Sequence, residues 1–231
     1  MSIHNNAPHA IVERSHNLLN KETPFAVQEG YRALRTNVMF SLPGAGCKCV
    51  GVTSPAPGDG KSTTAANLAI ALGQIGKKVI LVDCDMRLPT VASTFHLPAA
   101  PGLSDFLVGQ AKIEDAVRRS NTYGISILPA GNLPPDATGL LEDKQLDSLF
   151  SALKKIFDYI IVDLPPVNTV PDAMILSKYM DGFLVAVREQ KTKHREIDQM
   201  LRQIRLADVR VLGFVDTGAE IRKSRYYYYS K

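Results

Sequence analysis

The chain has 231 residues, enough for one large domain with a full hydrophobic core. Hydrophobic residues make up 45% and charged residues 22%, as in ordinary globular proteins, and a net charge of +4 is too small to indicate a nucleic-acid partner. The longest apolar runs are far shorter than the ~20 residues of a membrane span, and residues 1–20 lack the apolar core of a signal peptide. These features predict a cytoplasmic protein whose link to a membrane comes through a partner.

The first predicted element is a helix that follows a segment without apolar periodicity. Residues 1–22 are expected to be flexible. Thr23-Pro24 then supplies a capping hydroxyl and a proline at the first helical position. Apolar residues recur at helical spacing through Phe25–Ser41, and Pro43-Gly44 ends the helix. The predicted division of the chain is a flexible segment 1–22, a helical region 23–46, a core domain 47–219 and a tail 220–231.

From residue 47 onward, short runs rich in valine and isoleucine alternate with amphipathic segments. The predicted strands are Cys49–Thr53, Val79–Asp83, Ile125–Pro129, Tyr159–Asp163, Phe183–Val187 and Val211–Val215. The predicted helices are Lys61–Ile75, Leu103–Gly109, Ile113–Arg118, Lys144–Phe157, Asp172–Tyr179 and Thr192–Leu206. This alternation indicates an α/β fold with a mostly parallel, doubly wound sheet flanked by helices. Ligands of such sheets bind beyond the carboxyl ends of the strands.

A glycine-rich loop lies between the first predicted strand and the helix that follows it. The run from Ser54 to Thr63 ends in Gly-Lys-Ser-Thr, the pattern of a phosphate-binding P-loop in the required context. Glycines there let successive N–H groups point into a phosphate-sized nest at a helix N-terminus. The alternative is a glycine-rich turn between a strand and a helix that binds no ligand. The predicted ATP-binding residues are Gly58, Asp59, Gly60, Lys61, Ser62 and Thr63, with Lys61 at the β- and γ-phosphates and Ser62 on magnesium.

Three aspartates follow predicted strands. Asp83 and Asp85 come directly after one buried strand, and Asp163 ends another. A lone aspartate at a strand end is usually a cap, but three of them beside a P-loop favour a metal-dependent phosphoryl-transfer site. Carboxylates near magnesium triphosphate hold the metal through its waters and can accept a proton from a nucleophile.

The cysteines do not indicate a metal or a redox site. Cys47, Cys49 and Cys84 are odd in number and lie inside apparent strands. The spacing Cys47-Lys-Cys49 lacks the two-residue gap of zinc and redox pairs. Buried free thiols are predicted.

Taken together, these residues resemble the bacterial tyrosine kinases of capsule and exopolysaccharide systems, in their cytoplasmic form. The resemblance extends over about residues 25–231. It is carried by the following runs: Glu29-Gly-Tyr-Arg32-Ala-Leu-Arg35, the loop Ser54–Thr63, Asp83-Cys-Asp85-Met-Arg87, Leu128-Pro-Ala-Gly131, Pro134-Pro135, Asp163-Leu-Pro165-Pro166 and the terminal tyrosines.

The resemblance implies a Mg·ATP-dependent protein-tyrosine kinase that regulates polysaccharide synthesis and export. In that family, Asp83 would be the base facing the tyrosine hydroxyl, and Asp85 and Asp163 would organise magnesium together with Ser62. Lys61 would complete the catalytic set. Arg87 either steadies its loop, contacts phosphates or forms a structural salt bridge.

The resemblance also implies partners. The helical Glu29, Arg32 and Arg35 would form the interface of a ring-like homo-oligomer, although spacing alone favours a solvated stripe with a weak ion pair. A separate membrane protein would activate the chain and recruit it to the inner face of the membrane. A cognate tyrosine phosphatase and other tyrosine-containing proteins would be further partners.

The terminal tyrosines are interpreted as substrates. They follow a basic run and stop two residues from the chain end, where order is poorest. This favours a flexible tail over a packed aromatic patch. The predicted autophosphorylation sites, modified in trans, are Tyr226, Tyr227, Tyr228 and Tyr229.

Two alternatives stay open at this stage. The first is a switch ATPase similar to MinD and ParA, which shares the fold and the strand-end aspartates. Those ATPases carry a second lysine early in the P-loop, where this chain has Ala56, and they have no need of a tyrosine tail. The second is a non-catalytic, nucleotide-gated assembly protein. The chain departs from the kinase pattern at Asp216, where relatives commonly have asparagine near the base, and at Asp136-Ala137.

Overall fold

The computed structural model describes residues 18–218. In chain order its helices are α1 Phe25–Ser41, α2 Lys61–Gly73, α3 Val91–Thr94, α4 Leu103–Leu107, α5 Ile113–Ala116, α6 Ala137–Leu141, α7 Gln145–Ile156, α8 Asp172–Leu176, a 3₁₀ turn Ser177–Tyr179, and α9 His194–Leu206. The strands are β1 Lys48–Thr53, β2 Val79–Asp83, β3 Arg118–Ser120, β4 Ile125–Leu128, β5 Tyr159–Asp163, β6 Gly182–Arg188 and β7 Val211–Thr217.

The strands form one seven-stranded sheet in the order β3-β4-β2-β5-β1-β6-β7. All neighbouring pairs are parallel except β3 with β4, which is antiparallel. Apolar side chains fill both faces: α1 and α2 pack on one, and α4, α6, α7 and α9 pack on the other. The predicted doubly wound α/β fold is confirmed.

The sheet positions the three aspartates together at the carboxyl ends of its central strands. Asp83 pairs in register with Asp163 across β2 and β5, and β1 continues from Thr53 into the P-loop beside them. Since parallel strands end at the same edge, the loops after β1, β2 and β5 converge there.

Three short elements were not predicted from the sequence: α3, α6 and β3. The strand β3 contains only Arg118, Arg119 and Ser120 and is no more than half-buried. It lies at the sheet edge, where pairing with β4 needs no apolar side chains.

The N-terminal prediction needs correction for residues 18–22. Leu18 and Leu19 are buried at 1% and 4% exposure, and the Leu19 N–H donates to Asn67 Oδ1 at 2.8 Å. Two adjacent leucines thus pack on α2, although they form no periodic pattern. The expected cap is also wrong, because the Thr23 hydroxyl accepts from Asn20 N instead of a helical N–H. The remaining predicted flexible residues and the tyrosine tail lie outside the described residues.

The cysteine prediction is confirmed in part. All three thiols are free, and Cys49 and Cys84 are buried, but Cys47 is only half-buried because it precedes β1. None of the helices between residues 18 and 218 is long and apolar enough to cross a membrane.

Candidate active site

The P-loop connects β1 to α2 with the backbone geometry that a phosphate nest requires. Gly58 and Gly60 adopt φ values of +80° and +88°, in the left-handed region that other residues avoid. The 13-residue helix α2 begins at Lys61, so its N-terminal N–H groups face the same space. This arrangement can bind an anion.

Lys61 is the centre of the site's polar contacts. Its Nζ lies 2.8 Å from Asp85 Oδ2, 3.3 Å from Asp163 Oδ1 and 3.1 Å from the Ser62 hydroxyl. Burial would lower the pKa of Lys61, but Asp163 and Asp85 more than offset this and raise the pKa above its usual value. The ammonium therefore stays charged and brings together four residues that the sequence assigned to one site.

Asp83 is fully buried. Its Oδ1 accepts from Asp85 N and its Oδ2 accepts from Val91 N, each at 3.1 Å. Burial, and after it the charge of Asp163, raise the pKa of Asp83 to about 8, although Lys61 opposes the increase. A carboxyl group with this pKa can hold or accept a proton near neutral pH.

Asp163 combines burial with an unused oxygen. Its Oδ1 contacts Lys61, whereas Oδ2 has no hydrogen-bond partner within residues 18–218. Burial raises the pKa of Asp163, and Lys61 opposes that increase. A buried carboxylate oxygen without a donor is suited to accept a hydrogen bond from a metal-bound water.

The residues present fit Mg·ATP. The left-handed glycines suit the phosphates, and the Ser62 hydroxyl and Asp163 suit a hydrated magnesium ion. Among the described residues, no group of three His, Cys, Asp or Glu side chains forms a ready-made metal site. This agrees with the habit of Mg²⁺ to keep several waters and to bind through phosphates and few protein ligands.

An open groove of about 580 Å³ begins beside the P-loop. Gly60 and Thr63 line its inner end, Tyr31 of α1 forms one wall, and Arg188 and Asp216 from the ends of β6 and β7 form another. Its size is that of a small-molecule site. Asp216, which departs from the kinase pattern, therefore lies where a nucleoside attached to the phosphates would fit.

Arg87 forms a structural ion pair, one of the alternatives left open by the sequence. Its Nε donates to Asp172 Oδ2 at 3.1 Å and its Nη2 donates to the Thr138 hydroxyl at 2.8 Å. Asp172 is fully buried, so this contact ties the loop after β2 to α6 and α8.

The predicted interface residues of α1 make contacts within the chain. Arg32 forms an exposed ion pair with Glu29 at 2.5 Å. Arg35 donates to the carbonyl oxygen of Ala71 on α2 at 3.0 Å. Glu29 and Arg32 are accessible to a second copy, whereas Arg35 already has a partner.

Sequence reasoning missed Arg188, Lys191 and Thr217, whose side chains contact the P-loop from the ends of β6 and β7. The available signal was positional. Basic and hydroxyl residues that directly follow neighbouring parallel strands lie at the same edge as the P-loop.

The chain matches known kinases in sequence and structure. Residues 47–212 match a family model described as an AAA domain. The tyrosine-protein kinase YwqD of Bacillus subtilis is 37% identical over 202 residues, 87% of this chain and 85% of that protein. The tyrosine-protein kinase CpsD of Streptococcus agalactiae is 34% identical, over 81% of each chain.

Two solved structures show how similar the fold is to those of known proteins. The chimerical protein CapA2B2 is 34% identical with a TM-score of 0.82, over 87% of this chain and 89% of that one. The septum site-determining protein MinD of Pyrococcus horikoshii, solved with Mg-ADP, is 25% identical with a TM-score of 0.62, over 73% and 69%. MinD shares the fold, but it is similar over less of this chain and with a lower TM-score than CapA2B2.

Proposed function

The chain belongs to the family of bacterial tyrosine-protein kinases, and we propose that it transfers the γ-phosphate of Mg·ATP to tyrosine hydroxyls, including its own terminal tyrosines. The observation that supports this most is that the carboxylates of Asp85 and Asp163 both contact the ammonium of Lys61 beside the P-loop. Positioning and charge neutralisation supply most of the catalysis in phosphoryl transfer, so these groups suffice chemically.

ATP and Mg²⁺ are the cofactors, and each has its proposed residues. The P-loop N–H groups and Lys61 would bind the β- and γ-phosphates, with Thr63 near the α-phosphate. Ser62 would ligate magnesium directly, and Asp85 and Asp163 would hold its waters. Bound magnesium neutralises charge on the phosphate oxygens. Lys61 must exchange its carboxylate partners for phosphate oxygens, and its long side chain allows this without backbone movement.

Asp83 is the proposed acceptor of the tyrosine proton. The pKa of Asp83, about 8, is closer to the pKa of a tyrosine hydroxyl, near 10, than the pKa of an ordinary carboxyl group is. Because Asp83 is buried and bonded to two backbone N–H groups, the segment Cys84–Val91 must open for a substrate hydroxyl to reach it. Arg87, in the middle of this segment, binds it to Asp172 and Thr138.

The proposed substrate is the tail of a second copy. Residues 221–231 carry four basic side chains and no acidic one, a side-chain charge of +4. Four phosphotyrosines would add roughly −6 to −8 and invert the sign. An unmodified tail is therefore attracted to the acidic site of a neighbour, and a phosphorylated tail is repelled. We infer that phosphorylation in trans disperses a ring-like oligomer assembled through Glu29, Arg32 and Arg35.

The proposed setting is polysaccharide production at the membrane. A membrane protein would recruit the chain to the inner face of the membrane and activate it, and a tyrosine phosphatase would reverse the modification. This would let tail phosphorylation control synthesis and export of a capsule or exopolysaccharide.

Intact mass and peptide mapping after incubation with Mg·ATP and the cytoplasmic fragment of a membrane activator test the proposal. Phosphates on Tyr226–Tyr229 are expected in the wild type and not in Lys61→Met or Asp83→Ala. Mixing Lys61→Met with wild type should place phosphate on the Lys61→Met tail, since the reaction occurs in trans.

A switch ATPase is the second candidate, favoured by the shared fold with MinD. Ala56 counts against it, because those ATPases place a lysine at that position. ATP hydrolysis by wild type with an unmodified tail in every sample would overturn the kinase proposal and support this one.

A further inference from the structure

Three successive carbonyl groups of the P-loop each accept a hydrogen bond from a side chain that lies at the carboxyl end of β6 or β7, or in the turn just after β6. The bonds are Lys191 Nζ to Pro57 O at 2.7 Å, Arg188 Nη1 to Gly58 O at 3.2 Å, and Thr217 Oγ1 to Asp59 O at 2.7 Å. Lys191 and Arg188 come from the end of β6 and the turn after it, and Thr217 ends β7. We call these three side chains the loop clamp.

The direction of these carbonyls determines the direction of the N–H groups that would bind phosphate. In a trans peptide the C=O and the following N–H point in opposite directions. Fixing the carbonyls of residues 57, 58 and 59 on the clamp therefore turns the N–H groups of Gly58, Asp59 and Gly60 away from it. Those N–H groups belong to the residues that form the anion nest.

The clamp also offsets a negative charge inside the loop. The side chain of Asp59 is fully buried, and its Oδ2 accepts from Ala56 N at 3.1 Å. Its Oδ1 has no hydrogen-bond partner within residues 18–218, but Lys191 Nζ lies 3.8 Å away. Without that cation, the Asp59 carboxylate would repel a phosphate bound to the adjacent N–H groups.

Both glycines of the nest lie directly beneath the clamp. A Cβ atom at Gly58 would lie 2.6 Å from Lys191 Nζ, and one at Gly60 would lie 3.0 Å from the Thr217 side chain. The positive φ values explain why glycine occupies both positions, and the absence of a side chain leaves room for the clamp to reach the loop.

We propose that Lys191, Arg188 and Thr217 are positioning residues that hold the P-loop in its phosphate-binding conformation and thereby determine the affinity for the diphosphate group of the nucleotide. The proposal rests on the proposed function, since it needs a nucleotide in this loop. Lys191 places a cation beside the loop from the turn that follows β6.

The test compares Lys191→Ala with the control Lys193→Ala, an exposed lysine two residues away. Titration calorimetry with Mg·ADP and with pyrophosphate should show binding weakened about tenfold for Lys191→Ala, the expected effect of losing a charged hydrogen bond. Both ligands should weaken by the same factor, because the clamp acts on the phosphate end. Lys191→Arg should restore most of the affinity, and Lys193→Ala should match the wild type.

Kinetics separates positioning from a general loss of structure. In Lys191→Ala the KM for ATP should rise about tenfold while kcat stays within about twofold, with a melting temperature no more than about 4 °C below that of Lys193→Ala, because the ammonium is half-exposed. Thr217→Val, which keeps the shape and removes the hydroxyl, should shift KM in the same direction. Unchanged affinity in both variants, with a wild type that binds, would overturn the clamp. A wild type that binds neither ligand would instead overturn the proposed function.

Discussion

The ammonium of Lys61 lies 2.8 Å from a carboxylate oxygen of Asp85, and the two side chains are only 9% and 5% exposed. Both charges are therefore largely removed from water, where breaking a pair costs far more than at the surface. Lys61 stabilises the negative charge of the ligand-free site, and the same ammonium is the group that we expect to stabilise transferred phosphate. Its removal should affect both roles.

Lys61→Met should lower phosphotransfer by about 10²–10³-fold or more, as expected for losing a positioned donor to the transition state. It should also lower the melting temperature, and by more at about pH 8 than at about pH 6, because the buried Asp163 loses the cation that lowers its pKa and is charged without a partner at the higher pH. Radiolabel transfer and thermal melts measure the two effects. Lys78→Met, at an exposed lysine, is the control. Equal melting curves for the two variants at both pH values would contradict this account.

The aspartates should separate into two functional classes. Asp83→Ala should reduce phosphotransfer by about 10²–10⁴-fold, the usual effect of removing a general base, with little change in Mg·ADP affinity. Asp163→Asn should instead weaken binding of Mg·ADP more than binding of ADP alone. Calorimetry with and without magnesium, beside the transfer assay, makes the distinction. A loss of magnesium-dependent affinity in Asp83→Ala would reverse the assigned roles.

Much of this architecture was predictable because its determinants are local. The strands β2 and β5 were predicted with correct ends, since each is an apolar run closed by an aspartate. The P-loop was recognisable because glycine and helix-terminus chemistry fix its sequence. The loop clamp was not, because Lys191 and Thr217 are distant in sequence from the loop and only the β1-β6-β7 order brings them to it.

The same contrast explains the N-terminal error. Leu18 and Leu19 show no period of their own, so nothing local distinguishes them from a mobile tail. Their burial depends on the surface offered by α2, where Asn67 accepts from the Leu19 N–H. Tertiary packing of this kind overrides what composition alone predicts.

Arg87→Ala should lower the free energy of unfolding by about 1–3 kcal/mol, because it leaves the buried Asp172 carboxylate with the Thr138 hydroxyl alone. Arg87 is itself 44% exposed, which places the expected value toward the lower end. Urea denaturation measures the change, with the exposed Arg119→Ala as the matched control. Equal stability of the two variants would show that Asp172 does not need the arginine.

Cys47 should react slowly with thiol reagents despite being half-buried. Burial raises its pKa to about 11, so only about one thiol in a thousand is ionised near pH 8. Its rate with an aromatic disulfide reagent should rise about tenfold per pH unit up to about pH 10. All three cysteines should react quickly in guanidinium. A native rate like that of free cysteine at pH 8 would contradict the raised pKa.

The α1 interface should separate assembly from folding. Glu29 and Arg32 form an exposed ion pair, so the double variant Glu29→Ala/Arg32→Ala should change the stability of the monomer by no more than about 0.5 kcal/mol. Arg35→Ala should lower the free energy of unfolding by about 1 kcal/mol, because the Ala71 carbonyl of α2 loses its donor.

If Glu29 and Arg32 form the ring contact, sedimentation of the unphosphorylated double variant should give a monomer where the wild type gives an oligomer. The exposed Lys21→Ala serves as the control. An unchanged mass for the double variant would exclude this helix face from the interface. A loss of oligomer in Arg35→Ala alone would then indicate that α1 must be anchored to α2 for a ring to form.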